Sequence, residues 1–185
     1  PLPYLYTSMA LFYISENPER DIEEFKNAFK NSVKYAAKFR KIDTDNDYIN
    51  FEPEYFVKLK KVLNAETKNY FSNLNDVSMM KKGSSYIKNY YKMDKYNPGQ
   101  LYLLSIIQEA SNSRSSLLKT TEDIKEIESN FSINSLTKED IDILIFSIIT
   151  YAKYKKNNGS SLEGKKALDF YLPYLKDNET LNNYY

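Results

Sequence analysis

The sequence predicts an all-α fold, a helical bundle of about seven or eight helices, and three observations lead to that prediction. Only four glycines and six prolines occur in 185 residues, so residues that interrupt helices are scarce. Apolar residues recur at steps of three and four over long stretches, which is the spacing of one helix face. The stretch Ser135–Gly159 is apolar on nearly all sides. A helix of that kind lies inside a bundle.

Both ends of this central helix are marked. Thr137 and Asp140 form a capping box at its start. Lysines load its last turn with positive charge before Asn158-Gly159, a pair that favours helix termination. Its apolar run is too short to cross a bilayer. We therefore expect a buried helix over 137–156 and no membrane span.

The spacing of apolar side chains predicts the other helices in order. Tyr4–Ile14 is expected to form a short helix, and Asn17 is expected to cap one long amphipathic helix from Pro18 to Lys41. A helix should begin at Pro53 or Glu54. The remaining predictions are a less regular helix over 64–82, a break at 83–84, helices over 85–93, 101–110, 121–128 and 163–175, a polar linker over 111–116 and a loose end over 176–185.

These elements suggest two helical lobes. The first covers residues 1–116 and carries loops at 43–54 and 94–105, and the second covers 117–185 around helix 137–156. One continuous domain is the alternative, because 185 residues can bury a single core.

The charged residues restrict the classes of function. The chain has no cysteine and no histidine, which excludes disulfides, thiolate metal sites and histidine-based catalysis. Its 26 basic and 25 acidic residues give a net charge of +1 without a long block of either sign, so we expect no nucleic-acid partner. A stripe of lysines lies on the predicted 18–41 helix: Lys26, Lys30, Lys34 and Lys38. We interpret it as a solvated face, because the rest of the chain does not extend it.

One acidic loop has the spacing of a metal site. Asp43, Asp45 and Asp47 alternate, and Glu54 stands eleven residues after Asp43. Calcium takes about six to eight oxygen ligands, which carboxylates of one turn and of the next helix can supply. The positions reproduce the first, third, fifth and twelfth of an EF-hand calcium loop, so the stretch resembles the EF-hand superfamily, and the predicted metal ligands are these four residues.

The resemblance repeats with fewer ligands, as in a divergent calmodulin- or calbindin-like protein. Segment 94–105 keeps Gly99 at the bend and Leu101 at the aliphatic position, and segment 155–166 carries lysine at its first and last ligand positions. The acidic loop itself has Tyr48 where the family has glycine. The resemblance implies weak or no calcium binding, and helix-loop-helix units whose loops touch through short strand-like segments at Leu101 and Leu162.

Two functions remain open. The first is a non-enzymatic regulatory or scaffold protein that holds the amphipathic helix of a partner protein in an aromatic-lined groove. The second is a structural helical subunit that binds its neighbours in a larger assembly and has no metal site. Asp45 and Asp47 stand without a nucleophile or a phosphate-binding loop, so we do not expect an enzyme. We expect a cytoplasmic or other intracellular location.

Overall fold

The computed structural model describes residues 1–43, 48, 51–94, 96–176 and 178–184, and they form an all-helical fold, as predicted. Two 3₁₀ turns, Ile133–Ser135 and Leu172–Tyr174, accompany the α-helices, and the described residues contain no strand. The ten α-helices within these ranges are α1 Leu2–Glu16, α2 Ile22–Phe25, α3 Ala28–Ile42, α4 Pro53–Tyr70, α5 Val77–Met93, α6 Gly99–Ala110, α7 Arg114–Ser129, α8 Lys138–Asn157, α9 Ser161–Tyr171 and α10 Glu179–Tyr184.

Helix α8 is the central helix that the sequence predicts. Its capping box is confirmed, since the Asp140 N–H donates to Thr137 Oγ1 and the Thr137 N–H donates to Asp140 Oδ2 at 3.0 Å. Most of its apolar side chains are buried, and α4, α6, α9 and α10 pack around it.

The apolar side chains form two cores that share α8. The first core contains residues of α1, α3 and α4 together with Tyr90 and Ile143, and the second contains residues of α5 to α10. Phe146 is partly buried and contacts both cores. Since α8 contributes to both, the two cores are held as neighbours along one helix. The predicted lobe boundary at residue 116 stays a prediction.

The prediction of one helix from Pro18 to Lys41 is wrong. Asn17 ends α1, its N–H donating to the Ile14 carbonyl at 3.2 Å, and α2 begins only after Asp21. The Asp21 carboxylate caps α2 by accepting the N–H groups of Glu23 and Glu24. Such local side-chain bonds compete with a continuous helix, and the chain restarts as α3 after Asn27.

The predicted break at Gly83-Ser84 is also wrong, because α5 runs through it. The interruption falls at 71–76 instead, where Asp76 caps α5 by accepting the Met79 N–H at 2.9 Å. A Cβ atom at Gly83 would lie 2.9 Å from the Tyr70 Cβ and Cγ atoms. Glycine is there because α4 and α5 approach closely, and the chain does not turn at it.

Three smaller predictions change as well. Helix α7 begins at Arg114, so half of the predicted polar linker over 111–116 is helical, and the expected loose end contains α10 with Leu181 fully buried. The strand-like segments expected at Leu101 and Leu162 are wrong, since both residues lie in helices. None of the described helices combines the length and the apolar character that crossing a bilayer requires.

Candidate functional site

The structure describes two of the four predicted calcium ligands, Asp43 and Glu54. Asp43 ends α3 with only 6% of its surface exposed, and its carboxylate accepts the Tyr48 N–H at 3.2 Å. Glu54 is exposed in the first turn of α4. Asp45 and Asp47 lie outside the described residues. Among the residues within those ranges, no group of three carboxylates is arranged to hold a metal ion.

A cleft of about 770 Å³ lies in the second core region, between α7 and α9. Helix α7 packs on α6, and α9 packs on α8, so α6 and α8 form the floor of the cleft while α7 and α9 form its walls. We call this cleft the α7–α9 groove. Its volume lies within the range of ligand-binding clefts.

One face of α7 lines the groove over nearly the whole helix. The lining residues follow one another at steps of three and four. From the first of them, Arg114, to the last, Glu128, the helix rises by about 21 Å. Leu118 is 67% exposed on this face, so its apolar side chain is open to solvent. The face consists of Arg114, Leu117, Leu118, Thr121, Ile124, Lys125 and Glu128.

The opposite wall and the floor add apolar and aromatic surface. Ala167 and Phe170 line the groove from α9, and Tyr102 and Tyr151 line it from below. The Tyr102 and Tyr151 rings meet edge to face with centroids 4.8 Å apart. The floor is therefore partly aromatic.

The Glu128 carboxylate at one end of the groove fixes two tyrosines. Its Oε1 atom accepts the Tyr102 hydroxyl at 2.5 Å and the Tyr171 hydroxyl at 2.8 Å. Burial raises the pKa of Tyr102 and that of Tyr171, and the negative charge of Glu128 raises both further. Both hydroxyls thus remain donors at neutral pH and hold α6, α7 and α9 together.

Lys155 crosses the floor as a paired cation. Its Nζ atom lies 2.5 Å from Glu109 Oε2 and 2.7 Å from Glu163 Oε2, and only 8% of its side chain is exposed. Burial lowers the pKa of Lys155, but the hydrogen bonds to the two carboxylates outweigh burial and raise it above its usual value. Lys155 therefore keeps its charge, and its two partners are engaged.

The rim of the α7–α9 groove, in contrast, carries three exposed positive charges. Arg114, Lys125 and Lys166 are exposed, and none of them forms an ion pair with a carboxylate that the structure describes. Since Glu109, Glu128 and Glu163 are already bonded, the groove presents apolar side chains between unpaired cations.

A second polar cluster joins the two cores below the surface. The Lys60 ammonium of α4 lies 2.7 Å from both Asp140 oxygens and 3.1 Å from Asp94 Oδ2. Burial raises the pKa of Asp94 to about 6, although Lys60 opposes that shift. Burial also acts to raise the pKa of Asp140, but Lys60 and the hydrogen bonds around it hold that pKa below its usual value. The cluster links α4, α5 and α8.

Sequence reasoning predicted neither the α7–α9 groove nor the cluster of Lys60, Asp94 and Asp140. The groove was not predicted because the predicted helix covers only 121–128, which leaves out Leu117 and Leu118 on the same face as Ile124. The signal was the seven-residue spacing from Leu117 to Ile124, which is one helix face. For the cluster, the sequence identifies Asp140 only as part of a capping box. No local pattern predicts its contact with Lys60, which lies eighty residues earlier in the chain.

Comparisons with known proteins give no relative: no family model, no curated protein and no solved structure matches the chain.

Proposed function

We propose that this chain is a non-enzymatic protein-binding module that holds an amphipathic helix of a partner protein in the α7–α9 groove. The observation that carries the proposal is the exposed α7 face with its i, i+3, i+4 and i+7 spacing, opposite a second helix wall. A groove between two helices that offers apolar side chains is a common way of binding a helix.

The length and shape of the groove support a helical ligand. The lining face of α7 extends for about 21 Å, the length of a helix of about 14 residues. A compact small molecule would fill only part of that length. Leu117 and Leu118 offer apolar contact along one wall, and Phe170 offers it along the other.

The charges of the rim define the chemistry of the partner. Arg114 and Lys125 stand at the α7 wall and Lys166 at the α9 wall, all without a described carboxylate partner. An apolar helix stripe flanked by aspartate or glutamate would complement them, and electrostatic complementarity of this kind favours specificity. We therefore propose an acidic amphipathic helix as the partner segment.

Calcium has a minor place in this proposal. If the EF-hand resemblance holds, the ligands are Asp43, Asp45, Asp47 and Glu54, and binding is weak or absent. The Asp43 carboxylate already accepts the Tyr48 N–H, so an ion would compete with an existing hydrogen bond. Binding of the partner helix is then independent of calcium.

The experiment is fluorescence anisotropy with a labelled helical peptide of 16 residues, the length of α7, carrying leucines at i, i+3, i+4 and i+7 and glutamates on both flanks. We expect a dissociation constant on the order of 10 μM, about −7 kcal/mol. A peptide of the same composition with its leucines scattered over all faces should not bind, and a lysine-flanked version should bind much more weakly.

Two matched variants locate the binding surface. Leu118→Asp should abolish binding, whereas Leu162→Asp should not change it, because these leucines are 67% and 65% exposed but only Leu118 lines the groove. Equal binding of the scattered peptide, or equal loss in both variants, would show that the groove is not a helix-binding site.

A further inference from the structure

Two neighbouring helices, α3 and α5, carry basic residues and no acidic ones. Helix α3 contains four lysines and one arginine, helix α5 contains four lysines, and neither contains aspartate or glutamate. The two helices pack side by side. Positive charge that is scattered along the sequence is therefore gathered on one part of the surface.

Six of the exposed lysines on these helices form two stripes. Lys30, Lys34 and Lys41 follow steps of four and seven on α3, and the α5 stripe follows steps of seven and four. All six ammonium groups belong to exposed residues, and no described carboxylate forms an ion pair with them. We call these residues the basic face: Lys30, Lys34, Lys41, Lys81, Lys88 and Lys92.

Each stripe lies on the side of its helix away from the core, since α3 packs on α1 and α5, and α5 packs on α3, α4 and α6. The Phe39 ring of α3 stacks on Phe56 of α4 with centroids 6.0 Å apart, and the Tyr86 ring of α5 stacks on Tyr70 of α4 at 5.7 Å. Phe29 also stacks on Tyr86 at 5.8 Å, which fixes α3 beside α5.

The dimensions of the basic face fit a phosphate backbone. Each stripe extends for about 16 Å along its helix, and 16 Å of duplex axis holds about five phosphates on each strand. Packed helices lie about 8–10 Å apart, so the two stripes are separated by a distance similar to the width of the B-DNA major groove, about 12 Å. Two lines of cations at this separation can each follow one strand.

We propose that the basic face binds the phosphate backbone of duplex DNA without reading its sequence. The residues between the stripes, such as Ser85 and Asn89, are polar and suited to contacts with phosphate and sugar oxygens. Along these two helices, the large apolar side chain that is exposed is Ile42, at the end of α3. A stable membrane contact requires apolar anchoring in addition to charge, so the polar character of the face favours DNA.

The near-neutral composition of the whole chain conceals this surface. Acidic residues balance the lysines in the total, but they lie in other elements, such as α2 and α7. The lysine stripe on α3 looks isolated in the sequence because its extension is α5, which follows about forty residues later.

The experiment measures binding of the full chain to a fluorescein-labelled duplex of mixed sequence, about 20 base pairs long, across a salt series. The logarithm of the binding constant should fall with the logarithm of salt concentration with a slope of about −5, as expected when about six phosphates are neutralised. A second duplex of unrelated sequence should bind equally well.

The variant Lys34→Gln/Lys88→Gln should weaken binding and reduce the size of the slope by about 2. The control Lys119→Gln/Lys138→Gln removes the same charge from exposed positions outside the basic face and should leave the slope unchanged. The proposal is wrong if the duplex does not bind at low salt or if the two double variants lose binding equally. It is also wrong if vesicles of phosphatidylcholine and phosphatidylserine bind through Lys34 and Lys88 in preference to the duplex. Circular dichroism of each variant confirms its fold.

Discussion

The ammonium group of Lys60 lies 2.7 Å from both carboxylate oxygens of Asp140, with 13% and 1% of the two side chains exposed. Asp140 also caps α8 through Thr137, and its carbonyl oxygen accepts the Asn97 side-chain N–H at 2.8 Å. A single residue thus fixes the start of α8 to α4 and to the turn before α6. The junction of the two cores depends on this arrangement.

Removing the cation should destabilise the fold strongly. Lys60→Met leaves the Asp140 and Asp94 carboxylates buried beside each other, and breaking a buried pair from one side costs about 3–5 kcal/mol. Urea unfolding measures the loss. Lys68→Met is the matched control, since Lys68 pairs with Asp142 at the surface, where 38% and 50% of the side chains are exposed, and its loss should cost about 0–1 kcal/mol. Equal effects of the two variants would contradict a special role for the buried pair.

The same cluster predicts a dependence of stability on pH. Because burial raises the pKa of Asp94 to about 6 in the folded chain, folding favours its protonated form. The stability from this group is complete below the unfolded pKa of about 4 and is lost as pH rises through about 6. The lowered pKa of Asp140 has the opposite effect on stability. The stability that Asp140 contributes is present near neutral pH and is lost as the pH falls through its folded pKa.

Asp94→Asn tests this dependence, because asparagine resembles the protonated carboxyl. Relative to the parent chain, its free energy of unfolding should rise by about 1–3 kcal/mol between pH 4.5 and pH 7. The chain has no histidine, the side chain that ordinarily titrates in the upper part of this window. Asp142→Asn, in the surface pair, is the control and should run parallel to the parent chain. Parallel pH curves for Asp94→Asn and its parent would refute the assignment.

Gly83 predicts a packing effect that opposes helix propensity. Alanine in a helix interior is favoured over glycine by about 1 kcal/mol, but a Cβ atom here would lie 2.9 Å from Tyr70 Cβ, a side-chain atom next to the α4 backbone. Gly83→Ala should therefore lower the unfolding free energy by about 1–3 kcal/mol, the usual cost of overpacking. Ser85→Ala in the same helix is the control and should not show the clash. A more stable Gly83→Ala chain would mean that α4 yields at this contact.

Elements with strong local signals were predictable from sequence. Helix α8 combines a capping box with apolar residues on nearly every side, and local chemistry alone specifies its start at Thr137. Gly83 misled the prediction because its small size serves a contact with Tyr70, which is distant in sequence. The same limit applies to both proposed surfaces. The groove depends on α7 and α9 packing on different helices, and the basic face depends on α3 packing beside α5. No local sequence pattern predicts which helices pack together.

Calcium binding remains testable at the four residues that resemble an EF-hand loop. We expect a dissociation constant on the order of 10⁻⁴ M or weaker, or no binding, because glycine is absent at the bend and Tyr48 stands there. In addition, the Asp43 carboxylate already accepts the Tyr48 N–H, so an ion would compete with an existing bond.

Isothermal titration calorimetry, together with the melting temperature with and without millimolar calcium, measures both outcomes. Any heat of binding should disappear in Asp43→Ala and in Glu54→Gln, and persist in Glu122→Gln, an exposed carboxylate of α7. Sub-micromolar affinity, or binding unchanged by Asp43→Ala, would place the metal site elsewhere.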